Sequence, residues 1–378
     1  MARVNLGRVR GKDGYIPPMY FESAPFLVAS DKRRITVKAG TKIDLGERTF
    51  SVDVDTEYDI ASILDVGALA FGKDYYLFIC PQGSADIVVK ASLTKSAPQG
   101  FSAEAVELIG GFHTLCANVG DDLTYFEGNV EKNHPLNGYI AGDILPYSVW
   151  CLNHRPYSEP EGMVYIPTLD FWCDIYLQSG SGANTKSAYR GAITRNRQYV
   201  DFVEDQFCVK KELLDDGEFA AAMIGSNEMT AVAGTNDAGA TSGGAGGRVD
   251  TAGRRMISIY GVEEGCGSLW QFLRTTSAGG ADGTFYGQTS AQGVTPVTQG
   301  WITTVPTGGV GTNTQGTAYG PLPQSGEKGS FWGVACTLLA GGYWNDSKGC
   351  GSRARYANHA RSRSDSYYGG RGRSRTKR

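Results

Sequence analysis

Apolar and polar residues alternate along most of this chain in short runs, not at helical spacing. Arg34-Ile35-Thr36-Val37-Lys38-Ala39-Gly40 alternates and ends in a turn, and residues 49–54 alternate again. Tyr75-Tyr76-Leu77-Phe78-Ile79-Cys80 is a continuous apolar run. Residues 86–91 and 106–112 follow, the second interrupted by Gly110-Gly111. Short runs of this kind, with turn signals about every eight to twelve residues, predict a β-sandwich or barrel over 31–128, and we expect the sandwich. Residues 61–71 read as a short helix or a long loop. Pro17, Pro18 and Pro25 rule out a helix in residues 1–30. That extended arm has no core of its own, and an oligomer partner is its expected packing surface. Residues 129–160, with the turn dipeptide Asn137-Gly138, read as a connector.

A C-terminal domain is expected over 161–378. Met163-Val164-Tyr165-Ile166 and Phe171-Trp172-Cys173-Asp174-Ile175-Tyr176-Leu177 are strand-like, and 213–223 is the best helix in the chain, with Asp215 and Asp216 at its start and Glu228 following its end. Residues 229–253, rich in Ala, Gly and Thr, read as an exposed loop. Residues 256–272 return to apolar alternation. Residues 275–326 carry Asp282 as their one charged residue, with Tyr286, Trp301 and Tyr319 as aromatic anchors; 331–339 is an apolar strand. The fold class is therefore mostly β, with an α+β C-terminal domain.

A hydrophobic fraction of 41% and a charged fraction of 20% are globular values, while 52 glycines in 378 residues point to long irregular loops. The formal charge of −3 hides an asymmetry. From Arg353 to the end there are eight Arg, one Lys and one Asp, so this tail is +8 and the rest of the chain −11. No apolar stretch is long enough to span a membrane, and the N-terminal residues lack the apolar core of a secretion signal. The eight cysteines are scattered without metal-site spacing and read as buried free thiols; Cys151 and Cys173 could pair only if their strands are neighbours.

Catalytic signatures are missing. The four histidines (113, 134, 154, 359) stand in no zinc-protease, nucleophile-elbow or phosphate-loop pattern. His154, beside Arg155-Pro156, reads as a turn or packing residue. Asp170, Asp174, Glu263 and Glu264 could hold a structural calcium ion, but a structural or solvated role is the simpler reading of each. No cofactor is assigned.

The stretch 339–378 is different. It is dense in Tyr, Ser, Asn, Asp, Arg and His and nearly free of aliphatic residues, so little of it is expected in a core. Tyrosine offers rigid contact area at low entropic cost, Ser, Gly and Asn offer adaptable hydrogen bonds, and Arg a strong donor, which is the chemistry of a paratope. Tyr343, Tyr356, Asn358, His359, Arg363, Asp365, Tyr367 and Tyr368 fit that role. Gly351, Ser352, Arg353, Gly369, Arg371 and Gly372 read as the frame, with Arg353 and Arg371 able to hold loop carbonyls or carboxylates. Trp344 needs a core to bury it, so a folded surface is expected through Gly372, with 373–378 a frayed end. The rival is an Arg-rich tail that binds nucleic acid through phosphates.

In its ordered motifs the chain resembles the variable proteins of diversity-generating retroelements. The motifs are Ile109-Gly110-Gly111-Phe112-His113, Ser148-Val149-Trp150 with Arg155-Pro156, Gly162-Met163, and Phe171-Trp172 with Asp174-Ile175-Tyr176-Leu177. Glu218-Phe219, residues 265–270 and Trp332-Gly333-Val334 continue the series. Gly341-Gly342, Trp344-Asn345, Gly351-Ser352-Arg353-Ala354, Gly369 and Arg371-Gly372 end it and are its most specific part.

The resemblance implies a C-type lectin fold of the formylglycine-generating-enzyme subtype from near residue 161, without enzymatic activity. An enzyme related to the sulfatase-modifying oxidases is a weak rival, because Cys336 and Cys350 stand in no redox pair. The resemblance further implies a phage or prophage tail-tip homotrimer that determines receptor choice, its variable binding surface at 341–372. Carried over, the diversified positions are Tyr343, Asn345, Ser347, Gly349, Tyr356, Asn358, His359, Arg363, Asp365, Tyr367 and Tyr368, set in a frame of Trp344, Ser352, Arg353, Ser362 and Ser364. The implied partner is a cell-surface protein or glycan, and nucleic acid is not expected; Arg361, Arg363, Arg373 and Arg375 make this particular surface basic, which favours an acidic partner. The chain departs from the pattern in its short N-terminal arm and in its basic last six residues.

Overall fold

The computed structural model describes residues 19–45, 48–83, 86–127, 130–279, 284–287, 297–298, 331–333, 336–357 and 361–377. They are mostly strand, with few and short helices. They form two compact units, one of the described residues within 19–116, 141–161 and 375–377, the other of those within 117–140 and 162–374.

In the first unit Asp74–Gln82 is the central strand of a four-stranded sheet, paired antiparallel with Asp86–Ser92 and with Glu107–His113, which in turn pairs Trp150–Cys151. Two three-stranded sheets complete it, Met19–Tyr20 with Thr41–Asp44 and Thr49–Val52, and Leu27–Ala29 with Arg34–Val37 and Thr56–Asp59. The alternating run read from Arg34 buries Ile35 and Val37 at 1% exposure each, as period two requires. Gly110 stands in its strand because a Cβ there would come within 2.3 Å of the Trp150 carbonyl and 2.6 Å of Leu27. The ambiguous stretch after residue 60 holds a single turn of helix, Ile60–Ile63, capped by Asp59, whose carboxylate accepts from the Ala61 amide.

Two expectations need correction here. From Met19 on, the N-terminal arm is not coreless: Phe21 and Phe26 stack with centroids 4.3 Å apart, and Phe26 and Leu27 are buried in this unit's own core. Residues 1–18 lie outside the described residues. The expected connector 129–160 also divides, with 117–140 in the second unit and 141–161 in the first. Its early part makes a hairpin, Thr124–Glu127 with Val130–Asn133, and its late part the strand Trp150–Cys151.

The second unit is built on a mixed sheet. Trp270–Gly279 pairs antiparallel with Cys336–Gly341, which pairs antiparallel with Gly351–Ala357; Phe331–Gly333 and Tyr368–Gly369 add as parallel partners. Met163–Ile166 and Phe171–Asp174 form a hairpin, and their side chains include the fully buried Trp172. The expected helix at 213–223 is shorter: Leu213 lies in the strand Glu212–Leu213, and the helix is Asp216–Ala222. Asp215 caps it, accepting from the Glu218 amide while Glu218 accepts from the Asp215 amide, a reciprocal box that fixes the start. Two helices were not anticipated, Tyr199–Cys208 and Asp237–Thr241. The second lies in the stretch read as an exposed loop. Instead, Val232, Ala240 and Met256 bury together there, because small residues allow the backbone to fold closely on itself.

Candidate functional site

The terminal block is threaded through the second unit's sheet. Gly341 and Gly342 adopt φ of +96° and +82°, which turns the chain out of the Cys336–Gly341 strand. A Cβ on Gly342 would stand 2.8 Å from Cys350 Cα, so glycine is required on space as well as on φ. The turn that follows is closed by Asp346, whose carboxylate accepts from the Tyr343 amide at 3.0 Å while its own amide donates to the Tyr343 carbonyl at 3.0 Å. Asn345 and Ser347 project from this turn exposed, and Gly349 is half-buried. Trp344 is half-buried against Val232, Ala240 and Met256, the core that its size demands.

Four arginines hold the frame from inside. Arg371 is fully buried. It donates to the carbonyls of Asp174 (2.8 Å), Ile175 (2.5 Å) and Glu263 (2.6 Å) and to Gln271 Oε1 (3.0 Å). Arg355 pairs with the Asp216 carboxylate and donates to the carbonyls of Ser352 and Ala354, both at 2.9 Å. Arg353 is buried beside Glu228 and Asp216, and burial lowers its pKa to about 9, which leaves it charged near neutrality. Glu228 accepts from both the amide (3.2 Å) and the hydroxyl of Ser352. Arg373 is buried and pairs with Glu212 at 2.9 Å and Glu218 at 3.2 Å.

These contacts correct three expectations. The block is not coreless: guanidinium groups enter the interior where carbonyls and carboxylates take their donors. The strand Gly372–Lys377 replaces the frayed end, with Gly372 and Arg373 paired to Leu213 and Glu212, and Thr376 and Lys377 paired to Pro156 and Arg155. Four of the tail's eight arginines, Arg353, Arg355, Arg371 and Arg373, are internal as well. Arg373 in particular does not belong to a basic surface.

Outside this frame lies an aromatic layer. Tyr343 and Tyr367 pack with centroids 4.7 Å apart, Trp344 meets Tyr343 at 5.1 Å and Tyr367 at 6.1 Å, and Tyr356 lies 5.5 Å from Trp270. Tyr343, Tyr356 and Tyr367 are half-buried, presenting an edge to solvent while their bodies pack on the core of Phe202, Trp270, Phe272 and Leu339. The exposed Arg363 pairs with Asp365 and donates to the Tyr367 hydroxyl, both at 3.3 Å. Burial, with help from the Asp365 carboxylate, raises the Tyr367 phenol to about 12. Arg361 stacks on the Tyr199 ring at 5.6 Å and donates to Thr337 Oγ1 at 3.1 Å.

Of the expected variable positions, Tyr343, Asn345, Ser347, Gly349, Tyr356, Arg363, Asp365 and Tyr367 are at least partly exposed. Tyr368 is not: it is at 0% exposure, 5.3 Å from Phe272, and belongs to the core. Asn358 and His359 lie outside the described residues. Gly351, Ser352, Arg353, Gly369, Arg371 and Gly372 are all buried. The sequence pattern alone does not single out Asp346, Glu228 and Arg355 as site residues. A carboxylate three positions after Tyr343 in a Gly- and Ser-rich turn is the signal that could have found Asp346.

The carboxylates considered for calcium have protein partners. Asp174 pairs with Lys211 at 2.5 Å, Glu263 with Arg255 at 2.5 Å and Glu264 with Arg248 at 2.6 Å, while Asp170 accepts from the Tyr165 hydroxyl at 3.0 Å. Among the described residues no three His, Cys, Asp or Glu side chains group as a metal site, and no helix is long and apolar enough to cross a membrane. The seven described cysteines are free, and only Cys208 is exposed.

Comparison with known proteins agrees with this architecture. Residues 25–151 match the family described as Mtd second domain. The tail fiber receptor-binding protein of Bordetella phage BPP-1 is 25% identical over 373 residues, covering 93% of this chain and 82% of the relative. The U1 variant of the major tropism determinant shares the fold at a TM-score of 0.65 and 21% identity, over 95% of this chain and 85% of that one; for the I1 variant the values are 0.65, 22%, 95% and 86%. Residues 25–151 thus carry an Mtd second domain, and the chain as a whole is similar to a phage tail fiber receptor-binding protein and shares the fold of the major tropism determinant.

Proposed function

We propose that this chain is a receptor-binding protein of a phage tail fibre, acting without catalysis through the surface built by residues 341–372. The observation that carries the reading is the separation of roles along one strand system. Arg353, Arg355 and Arg371 are locked inside, while Asn345, Ser347, Arg363 and the edges of Tyr343, Tyr356 and Tyr367 face outward. Side chains on such a face can change without altering the frame, as a diversified binder requires.

Residues 161–378 form a C-type lectin fold of the formylglycine-generating-enzyme subtype that serves as a scaffold only. Residues 31–128 form the sandwich. The N-terminal residues contribute to a homotrimer in which three copies of a modest contact reinforce one another. The partner is a host-surface protein or glycan carrying acidic groups opposite Arg361 and Arg363.

The test is adsorption to the host of phage particles that carry the triple substitution Asn345→Ala, Arg363→Ala and Tyr367→Ala. Adsorption should be lost while the purified protein keeps its melting temperature within a few degrees. Undiminished adsorption by a folded triple variant would refute the reading.

A further inference from the structure

A second recess lies in the same unit, apart from the described variable positions. It is a cleft of about 190 Å³ between the strand Thr124–Glu127 and the segment that follows the helix Asp216–Ala222, and its lining includes Asp122, Tyr125, Asn227, Glu228, Arg254 and Ser352. The Tyr125 ring is held by His134, which meets it edge-on at 6.3 Å. Burial lowers the His134 pKa to about 4, so that neighbour is neutral near pH 7.

The chemistry of the lining restricts the occupant. Arg254 is neutralised by Asp250 at 2.8 Å, and Glu228 is engaged by the amide and hydroxyl of Ser352. A strongly anionic ligand would face the carboxylates of Asp122 and Glu228, and a cation would face Arg254. An apolar ligand would cover the exposed Asp122 carboxylate without replacing its water. A neutral ligand bearing both donors and acceptors on a compact ring meets none of these penalties. Tyr125 and the neighbouring Phe126 supply aromatic surface for its apolar edge, and the carboxylates of Asp122 and Glu228 with the half-exposed Arg254 guanidinium supply partners for hydroxyl groups. The volume lies below the range of roughly 300–1,000 Å³ that accommodates drug-sized ligands, which limits the occupant to about one sugar ring.

We propose that this cleft is a metal-independent saccharide-binding site that takes one neutral sugar unit, separate from the variable surface. Its binding is fixed by residues of the scaffold, so a protein whose variable face has changed would retain it. The inference stands independently of the receptor reading above.

Saturation-transfer NMR on the full chain tests it, with glucose, galactose, mannose, rhamnose and N-acetylglucosamine presented singly in the presence of a chelator. At least one sugar should receive saturation. Tyr125→Ala should weaken that sugar's binding roughly tenfold, the loss of one aromatic partner and its adjoining contacts. Asp122→Asn, at an exposed position that leaves the fold undisturbed, should weaken it severalfold, whereas Asn345→Ala with Arg363→Ala should leave it unchanged. The proposal is overturned if none of the five sugars receives saturation. It is equally overturned if the signal is insensitive to Asp122→Asn and Tyr125→Ala, or if it is lost with the variable-face pair instead.

Discussion

Tyr367 and Tyr368 are consecutive, and their rings lie 4.8 Å apart at 81°, yet one is half-buried at the surface and the other fully sealed. The division follows from strand geometry. Tyr368 pairs with Trp270 in the sheet and is directed into the core against Phe272, and its predecessor is left on the outside. Tyr368→Ala should therefore cost about 3–5 kcal/mol, in the range of large aromatic truncations in a core. Tyr367→Ala should cost about 1 kcal/mol, the loss of its packing on Tyr343. Urea denaturation of the two variants separates them, and equal losses would contradict the assignment of inside and outside.

This pair also marks how far the sequence could be read. The strands of the first unit were legible because Ile35, Val37 and the run from Tyr75 to Cys80 follow one simple rule, alternation or continuity of apolar side chains. The terminal block obeys no such rule. Composition identifies tyrosines and serines suited to binding, but it does not tell Tyr368 from Tyr367, because a core position and a surface position one residue apart use the same amino acid. Nor does it reveal that Arg353, Arg355, Arg371 and Arg373 are interior, since their partners lie far away: Asp174 is 197 residues from Arg371 and Asp216 is 139 from Arg355. The carbonyls that Arg371 binds could come only from the fold.

Arg371 gives the sharpest stability test. Its guanidinium joins three backbone carbonyls from two separate segments to Gln271. Arg371→Met removes the donors and leaves those carbonyls buried, which should cost about 3–5 kcal/mol. Arg371→Lys keeps the charge, but a single ammonium group cannot span the same set of acceptors, so it should recover less than half of the loss. Arg363→Ala, at the exposed surface, should stay within about 0.5 kcal/mol of the parent. Chemical denaturation ranks the three, and recovery of full stability by lysine would show that charge, not geometry, is what the site needs.

Gly342 tests the turn that presents the proposed binding face. Alanine there must hold φ near +82° and place its Cβ 2.8 Å from Cys350. Gly342→Ala should destabilise by about 1–3 kcal/mol, and it should displace the Asn345 and Ser347 side chains with the turn. Gly217→Ala is the control: its nearest neighbour to an added Cβ is Asp215 Oδ1 at 3.6 Å, an ordinary contact, and the helical position favours alanine. Thermal melts of both should move in opposite directions. A Gly342→Ala protein as stable as the parent would mean that the turn is not constrained as described.

Asp346 makes the face sensitive to pH. Burial raises its carboxyl to about 6, against 3.8 for the ordinary group, while hydrogen bonds from the Tyr343 amide and the Trp270 side chain offset part of that effect. The folded protein therefore holds this proton more tightly than the unfolded chain. Between about pH 4 and 6 the native state carries more protons, so the stability this group contributes is full below the lower value and is lost as pH rises through the upper one. The difference across that window is on the order of 2 kcal/mol once partial access of solvent is allowed for. Asp346→Asn keeps an acceptor for the Tyr343 amide and removes the titration. Other buried carboxyls, Glu264 raised to about 7 among them, slope in the same direction in both proteins and cancel in the difference. The variant should thus gain stability relative to the parent as pH rises from 4 to 7, measured as the change in urea midpoint at each pH. A constant difference across the series would mean that Asp346 titrates normally, and that the Tyr343–Asp346 turn is open to solvent.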